Sequence, residues 1–482
     1  MYDFICKFII SIMKNILLSA LACSSVVPAL AQKSVHKSAQ KPNVILIISD
    51  DQGYRDLGCY GAADLRTPNL DKLASEGTLF TQFYAGAAVS SPSRASLLTG
   101  RSPVEAGAPG NMPREWQDPD QNKGMPTTNP TIAKNLKAAG YYTALVGKWH
   151  LGEGERQSPL KHGFDYCFGH RGGCMDNYSH YFYWSGPNIH DLHRNDDEVY
   201  YPGRFFPDLI VEETGKIIEA ERPEPFFIYC AFNVPHYPYQ GKIHWLDYYR
   251  EQGVPSPRRD YIAFVSTMDE CIGEIVAKLK KEGKYENTVI IFQADQGYSV
   301  EERASFGGGD AGNLRGCKGS LFEGGIRVPA IIKYANVIPS GRTIDNMAYG
   351  VDWYNTIAEI TGAKINPESQ GTSLMPLLTG KSAKHPSITN WQYGDFNDAK
   401  AQWIARNGDW KLIGNAEDPR NPESLGREDR KFFLSNLAMD ITESENLASK
   451  YPEKVAELKK QHDEWYAKAQ KSPEYRARVE KQ

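Results

Sequence analysis

Two segments of this 482-residue chain place acid directly after a strand-like run: Ser49-Asp50-Asp51-Gln52-Gly53 and Gln293-Ala294-Asp295-Gln296-Gly297. The runs ahead of them, Asn43 to Ser49 and Thr288 to Gln293, are continuous, apolar and β-branched. Strands covered on both faces of a sheet have that character. Ligands of open parallel sheets sit beyond the carboxyl ends of the strands. If the two runs are strands of one sheet, Asp50, Asp51 and Asp295 can share a cation with the amide oxygen of Gln296. Hard oxygen ligands suit Ca2+ first and Mg2+ second, rather than Zn2+. Read alone, each segment is equally an Asp-Gly turn.

Between them, Val89-Ser90-Ser91-Pro92-Ser93-Arg94 leads into Ala95-Ser96-Leu97-Leu98-Thr99-Gly100-Arg101. Serines ahead of a proline near the first helical position mark a helix start. Such an end also favours anions through its free N–H groups and dipole.

The elements that must position these residues alternate. Helices read over Pro68 to Gly77, Thr131 to Ala139, Leu209 to Ala220, Tyr261 to Lys281 and Trp353 to Thr361. Strands read over Tyr141 to Val146, Pro225 to Phe232 and Val328 to Tyr334, besides the two already named. This alternation predicts an α/β fold, a large mostly parallel sheet sandwiched by helices. The pattern changes near residue 385. Trp403 to Ile413 alternates about Asn407-Gly408, as an antiparallel hairpin does, and Pro452 to Ala467 reads as a closing helix. We therefore expect a main domain over 42–384 and a small C-terminal α+β subdomain with an antiparallel sheet over 385–482, packed against the main sheet.

Met13-Lys14, the apolar run Ile16 to Ala22 and the end Ala29-Leu30-Ala31 describe a secretory signal peptide over 1–31, with a polar linker over 32–41. Export to a periplasm follows, and lipid attachment at Cys23 is the second reading. No apolar run after residue 32 reaches the roughly 18–20 residues that span a bilayer, so no transmembrane anchor is expected. The formal charge is −4, from 55 basic and 59 acidic side chains without a concentrated basic run, which argues against a nucleic-acid partner. The six cysteines beyond residue 31 contain no C-x-x-C pair and are too few for a disulfide scaffold.

Further motifs occur in order: Gly147-Lys148-Trp149-His150-Leu151-Gly152, Pro235-His236, Gly316-Cys317-Lys318-Gly319-Ser320, Phe322 to Pro329 and Gly371 to Leu378. With Asp50-Asp51, Ser90-Ser91-Pro92-Ser93-Arg94 and Asp295-Gln296-Gly297, the chain from about Lys41 onward resembles the formylglycine-dependent sulfatases of the alkaline phosphatase superfamily, in their serine form. The resemblance implies that a formylglycine-generating maturase able to accept serine oxidises Ser90 to 3-oxoalanine. One hydroxyl of the hydrated aldehyde would attack sulfur, and the other would then expel sulfate, splitting one difficult step into two. Ca2+ held by Asp50, Asp51, residue 90, Asp295 and Gln296 would act as a Lewis acid. Arg94 and Lys148 would hold the diol, with Lys148, Lys318 and His236 on the sulfate. His236 would protonate the leaving oxygen, and His150 would act as the base. Gln296 stands where Asn or His is commoner in the family, a longer arm to the same ligand.

The insert from His170 to Phe206 is dense in aromatic, His, Arg and Asp residues. Arg171, Asn177, His180 and Trp184 are its candidate sugar contacts, unless the loop is packed by its own aromatics. With export, the resemblance to bacterial glycan-degrading enzymes implies an exo-acting sulfatase on glycosaminoglycan-type oligosaccharides, at uronate 2-O or hexosamine 4-O or 6-O sulfate. Three alternatives stay open: a phosphate or phosphonate ester hydrolase of the same superfamily; a transferase with a Thr or unmodified Ser nucleophile, which would not need the Pro92-x-Arg94 spacing; and a non-catalytic glycan-binding protein in which Ser90 stays serine. A two-zinc phosphatase would need a second Asp/His cluster, and none adjoins Asp50 or Asp295.

Overall fold

The computed structural model describes residues 41–386, 388–394 and 400–480. The expected signal peptide, Cys23 and the linker up to residue 40 lie outside the described residues. Four central strands carry the architecture: β1 (Asn43–Ser49), β2 (Tyr142–Gly147), β3 (Phe226–Ala231) and β4 (Thr288–Ala294). They belong to a ten-stranded sheet in the order Arg342–Ile344, Thr78–Phe80, Ala330–Lys333, β4, β1, β3, β2, Tyr166–Gly169, His193–Arg194, Asp197–Glu198. From β4 to Tyr166–Gly169 all neighbours run parallel.

The two-residue period of a strand divides β1 between two cores. Val44, Leu46 and Ile48 pack with Leu97 and Leu98 of α1 (Ser90–Thr99), Leu136 and Trp353. Ile45 and Ile47 pack with Leu209 and Ile210 of α2 (Phe206–Glu219) and with Phe264, Met268 and Ile272 of α3 (Arg258–Lys281). These β1 side chains are at most 1% exposed. Each such residue contributes roughly 1.5–3 kcal/mol of burial. The sandwich of a mostly parallel sheet between helices is as expected.

One strand read from the sequence departs from the parallel set. Ala330–Lys333 runs antiparallel to β4. Between the two the chain forms no helix longer than the single turn Glu323–Ile326, so it re-enters the sheet from the end it left.

The C-terminal part holds a four-stranded antiparallel sheet of Ile388–Tyr393, Gln402–Asn407, Trp410–Gly414 and Phe432–Asn436. Its hairpin turn falls one residue later than the Asn-Gly reading. Asn407 pairs with Trp410, and Gly408, at φ 60°, takes the first central position of a two-residue loop. Glycine is what a turn of that kind demands there. One face of this sheet, through Trp391, Ile404, Ile413 and Phe433, packs on Tyr84, Leu321, Phe322 and Ile326 of the main body. Helix Pro452–Ala469 covers the other face, where Leu458 meets Ala405, Leu412 and Leu434. The closing helix thus lies on the small sheet rather than on the large one. Among the described residues no helix is long and apolar enough to cross a membrane, and Cys59, Cys167, Cys174, Cys230, Cys271 and Cys317 are all free thiols.

A buried ion cluster joins the two parts. Lys411 Nζ lies 2.9 Å from Glu323 and 3.0 Å from Glu443, with all three side chains at most 1% exposed. Lys411→Met would leave both carboxylates buried without that cation, and a charge so stranded costs about 3–5 kcal/mol. We expect a loss of about that size in urea denaturation, with the small sheet's tryptophan fluorescence changing first.

Candidate active site

The parallel register brings the strand ends together. Ser49 of β1 is opposite Ala294 of β4, Ile48 is opposite Ala231 of β3, and Ala231 is opposite Gly147 of β2. Asp50, Asp295 and Lys148 therefore leave the sheet side by side. Asp51 follows in the left-handed region at φ 61°, and its N–H donates to Asp295 Oδ1 at 3.1 Å. Gly147 has φ 120°, and a Cβ there would lie 1.9 Å from the Ala231 carbonyl oxygen. Only glycine lets β2 end so close to β3 and turn Lys148 inward.

Ser90 is the first residue of α1, a helix buried along its whole length. Its Oγ donates to Asp50 Oδ1 at 3.2 Å and accepts from Gln296 Nε2 at 3.0 Å. Arg94 lies four residues on, hence on the same helix face. Its Nε and Nη2 donate to Asp295 Oδ2 at 3.1 and 2.9 Å. Lys148 Nζ donates to Asp50 Oδ2 at 2.6 Å, and Lys318 Nζ to Asp51 Oδ2 at 2.8 Å. His236 Nε2 stands 3.4 Å from Lys318 Nζ, and its Nδ1 is 2.7 Å from the Tyr237 carbonyl. His150, at φ 56°, has a buried Nδ1 without a partner.

The three carboxylates offer oxygens within 4.8 Å of one another. Gln296 donates to Asp51 as well as to Ser90, while its Oε1 is buried with no partner. An orphaned amide oxygen beside three carboxylates fits an oxygen-liganded cation, and these residues could hold one. Burial pushes Asp295 up to about 7 and Asp51 up to about 6, with the charge of Asp50 adding to both shifts and Arg94 and Lys318 respectively opposing them. Burial acts on Asp50 too, but Lys148, His236 and Arg94 together hold it well below the usual carboxylate range. Burial, aided by Lys148 and Arg94, takes His150 well down; burial and Lys318 take His236 down to about 3. Both imidazoles rest neutral at pH 7.

Comparison with known proteins agrees with this geometry. The profile of the Sulfatase family matches residues 42–363, and that described as N-sulphoglucosamine sulphohydrolase, C-terminal, matches 317–461. The chain belongs to the sulfatase family. Arylsulfatase J of Mus musculus is 30% identical over 460 residues, covering 87% of this chain and 74% of that protein. N-acetylgalactosamine-6-sulfatase of Sus scrofa is 33% identical over 374 residues, 72% and 68% of the two chains. Among solved structures, Ps i-CgsB in complex with k-i-k-neocarrahexaose superposes with a TM-score of 0.78 at 28% identity, covering 90% of this chain and 94% of the other. The protein is thus a sulfuric ester hydrolase with the alkaline phosphatase-like fold that the motifs imply.

The four candidate sugar contacts of this sulfatase fare differently. Arg171 is bound to Asp196 at 2.9 Å and to the Glu153 carbonyl. Asn177 bridges Gln240 and Asn233, each at 2.9 Å, and His180 Nε2 is 3.0 Å from the Arg204 carbonyl. Those three side chains are engaged in holding the insert together. Trp184 instead joins Trp116, Phe182 and Tyr237 in an aromatic cluster next to His236. Sequence reading missed Asn111, whose Oδ1 accepts from the Ser91 N–H at the start of α1, and Asp191. Asp191 accepts from the N–H groups of Arg171 and Gly172, both at 2.8 Å, and the Arg171 carbonyl in turn receives the His150 N–H. No spacing marks either residue, because each acts through a loop.

Asp50→Asn and Asp295→Asn should each weaken Ca2+ and Mg2+ binding at least tenfold in calorimetric titration, since a divalent ion loses one of its few carboxylates. Unchanged binding in both variants would move the cation elsewhere.

Proposed function

We propose that this sulfatase removes sulfate from the terminal sugar of glycosaminoglycan-type oligosaccharides, after export to the periplasm and conversion of Ser90 to formylglycine. The observation that carries the reading is the seat of Ser90, at the start of a buried helix between Asp50 and Gln296. The pig relative is an N-acetylgalactosamine-6-sulfatase and Ps i-CgsB is seen in complex with k-i-k-neocarrahexaose, which favours a sulfated sugar. Trp184, half-buried at the edge of the aromatic cluster, offers an aromatic face for its ring.

Asp50, Asp51, Asp295 and Gln296 would hold Ca2+, which supplies Lewis-acid polarisation of a sulfate oxygen. Residue 90, oxidised to the aldehyde and then hydrated, would supply one hydroxyl of the diol as the nucleophile. The chain's other side chains do the rest. Arg94 and Lys148 fix the carboxylates around residue 90 and keep their positive charge beside it. Lys318 Nζ binds a sulfate oxygen as a point charge. A carbonyl can only accept, so the contact with Tyr237 puts hydrogen on His236 Nδ1 and leaves Nε2 facing the substrate. An anionic ester bound beside Nε2 favours the imidazolium, whose proton then passes to the leaving oxygen. His150 stays neutral, its free Nδ1 able to take the proton released as the nucleophile is regenerated. We take residues 42–384 as the domain bearing this chemistry and 385–482 as the wall that makes the pocket narrow. In support, Tyr393 and Gln402 of the small sheet both donate to the Gly319 carbonyl, next to Lys318.

Mass analysis of the Ser90 peptide from the native host should find a loss of two hydrogens, and Ser90→Ala should abolish sulfate release. Unmodified serine in an active preparation would defeat the formylglycine reading. His236→Ala should slow release from sugar sulfates at least a hundredfold more than from an aryl sulfate, because an alkoxide needs a proton as it departs and a phenolate does not. Equal losses on the two would assign His236 to binding alone.

A further inference from the structure

One carboxylate beside the sulfate clamp has no part in the roles above. The Lys318 N–H donates to the Tyr298 carbonyl at 2.8 Å, which lays the segment 298–301 alongside Lys318. Glu301 Oε2 consequently stands 3.5 Å from Lys318 Nζ and accepts from Ser299 Oγ at 2.9 Å. The side chains of Lys318 and His236 are 13% and 6% exposed, whereas that of Glu301 is 53% exposed. Glu301 is therefore the solvent-side member of the trio. The neighbouring groups of a substrate whose sulfate reaches Lys318 from the solvent side would come within reach of this carboxylate.

An ionised carboxylate accepts hydrogen bonds and donates none. It can bind a hydroxyl or amide N–H, and it repels a carboxylate or a second sulfate. We propose that Glu301 is a specificity-determining residue that directs this sulfatase toward esters whose neighbouring group is neutral, such as a hexosamine carrying one sulfate, and away from uronates and polysulfated sugars. The inference rests on the sulfatase reading and narrows its substrate class. A like charge held a few ångströms away in a half-exposed setting is enough for roughly tenfold discrimination. Charge at that depth is also screened by salt.

The test uses the full-length, Ser90-converted enzyme and two isosteric esters, 3-carbamoylphenyl sulfate and 3-carboxyphenyl sulfate, which differ by one charge beside the reacting group. The wild type should prefer the carbamoyl ester about tenfold in kcat/KM, and the preference should shrink as salt rises. Glu301→Gln keeps an acceptor for Ser299 and should cut the preference to about twofold or less, chiefly by speeding the carboxylate ester, with little salt dependence left. An equal fall on both esters would mean that Glu301 only steadies Lys318, and would overturn the proposal. So would a wild type that does not discriminate. Turnover of neither ester by the wild type would overturn the placing of sulfate at Lys318 and of the leaving oxygen at His236, and this inference with it.

Discussion

Three carboxylates held out of reach of water, with three basic side chains facing them, set the terms for everything around them. Asp50, Asp51 and Asp295 are at most 2% exposed, and each has its own cation: Lys148 at 2.6 Å, Lys318 at 2.8 Å and Arg94 at 2.9 Å. Charges at that depth persist only when paired at close range, because desolvation outweighs a loose attraction. The pairing in turn demands that β1, β2, β4, helix α1 and the loop of Lys318 all end within hydrogen-bond reach of one another. The extensive two-faced core is the means by which those ends are held.

The same cluster decides what the site can accept. The two imidazoles closest to it are kept neutral by burial and by neighbouring cations, so positive charge resides on Lys148, Lys318 and Arg94. An entering sulfate meets donors already fixed by their carboxylates, and little has to reorganise as charge develops on its oxygens. The carboxylates, for their part, are crowded enough that burial lifts two of them toward neutrality. A divalent cation among them would oppose that lift and keep the carboxylates ionised.

Much of this was legible in the sequence, for physical reasons that stop at definable places. β1 and β4 announce themselves as continuous apolar runs, and their acidic ends follow directly, so Asp50, Asp51 and Asp295 could be read as neighbours before any coordinates. Ser90 and Arg94 are four apart on a helix, a spacing that predicts a shared face. The antiparallel entry of Ala330–Lys333 was hidden because a strand's residues do not encode its direction; the missing crossover helix does. Arg171, Asn177 and His180 had the right chemistry for a sugar, yet the insert consumes their polar groups to hold its own irregular backbone. Glu301 carried no signal at all, since only the pairing of Lys318 with Tyr298 brings it to the site.

The small C-terminal sheet adds to what fixes Lys318, whose own N–H and that of Gly319 are held by the Tyr298 and Ala88 carbonyls of the main body. Lys318 sits in the stretch 316–326, which has one helical turn and no strand of its own. Such a stretch cannot fix a buried ammonium by backbone ladders, so its support has to come from outside. Gln402 and Tyr393 hold the Gly319 carbonyl, Ser320 Oγ donates to the Glu417 carbonyl at 2.7 Å, and Lys411 neutralises Glu323 at the far end. Phe322 packs edge-on against Phe433, with ring centroids 4.9 Å apart. Every one of these partners belongs to residues beyond 390. A substitution in the small sheet therefore reaches Lys318 through the stretch 316–326, and the second part of the molecule supports the candidate site from outside the large sheet.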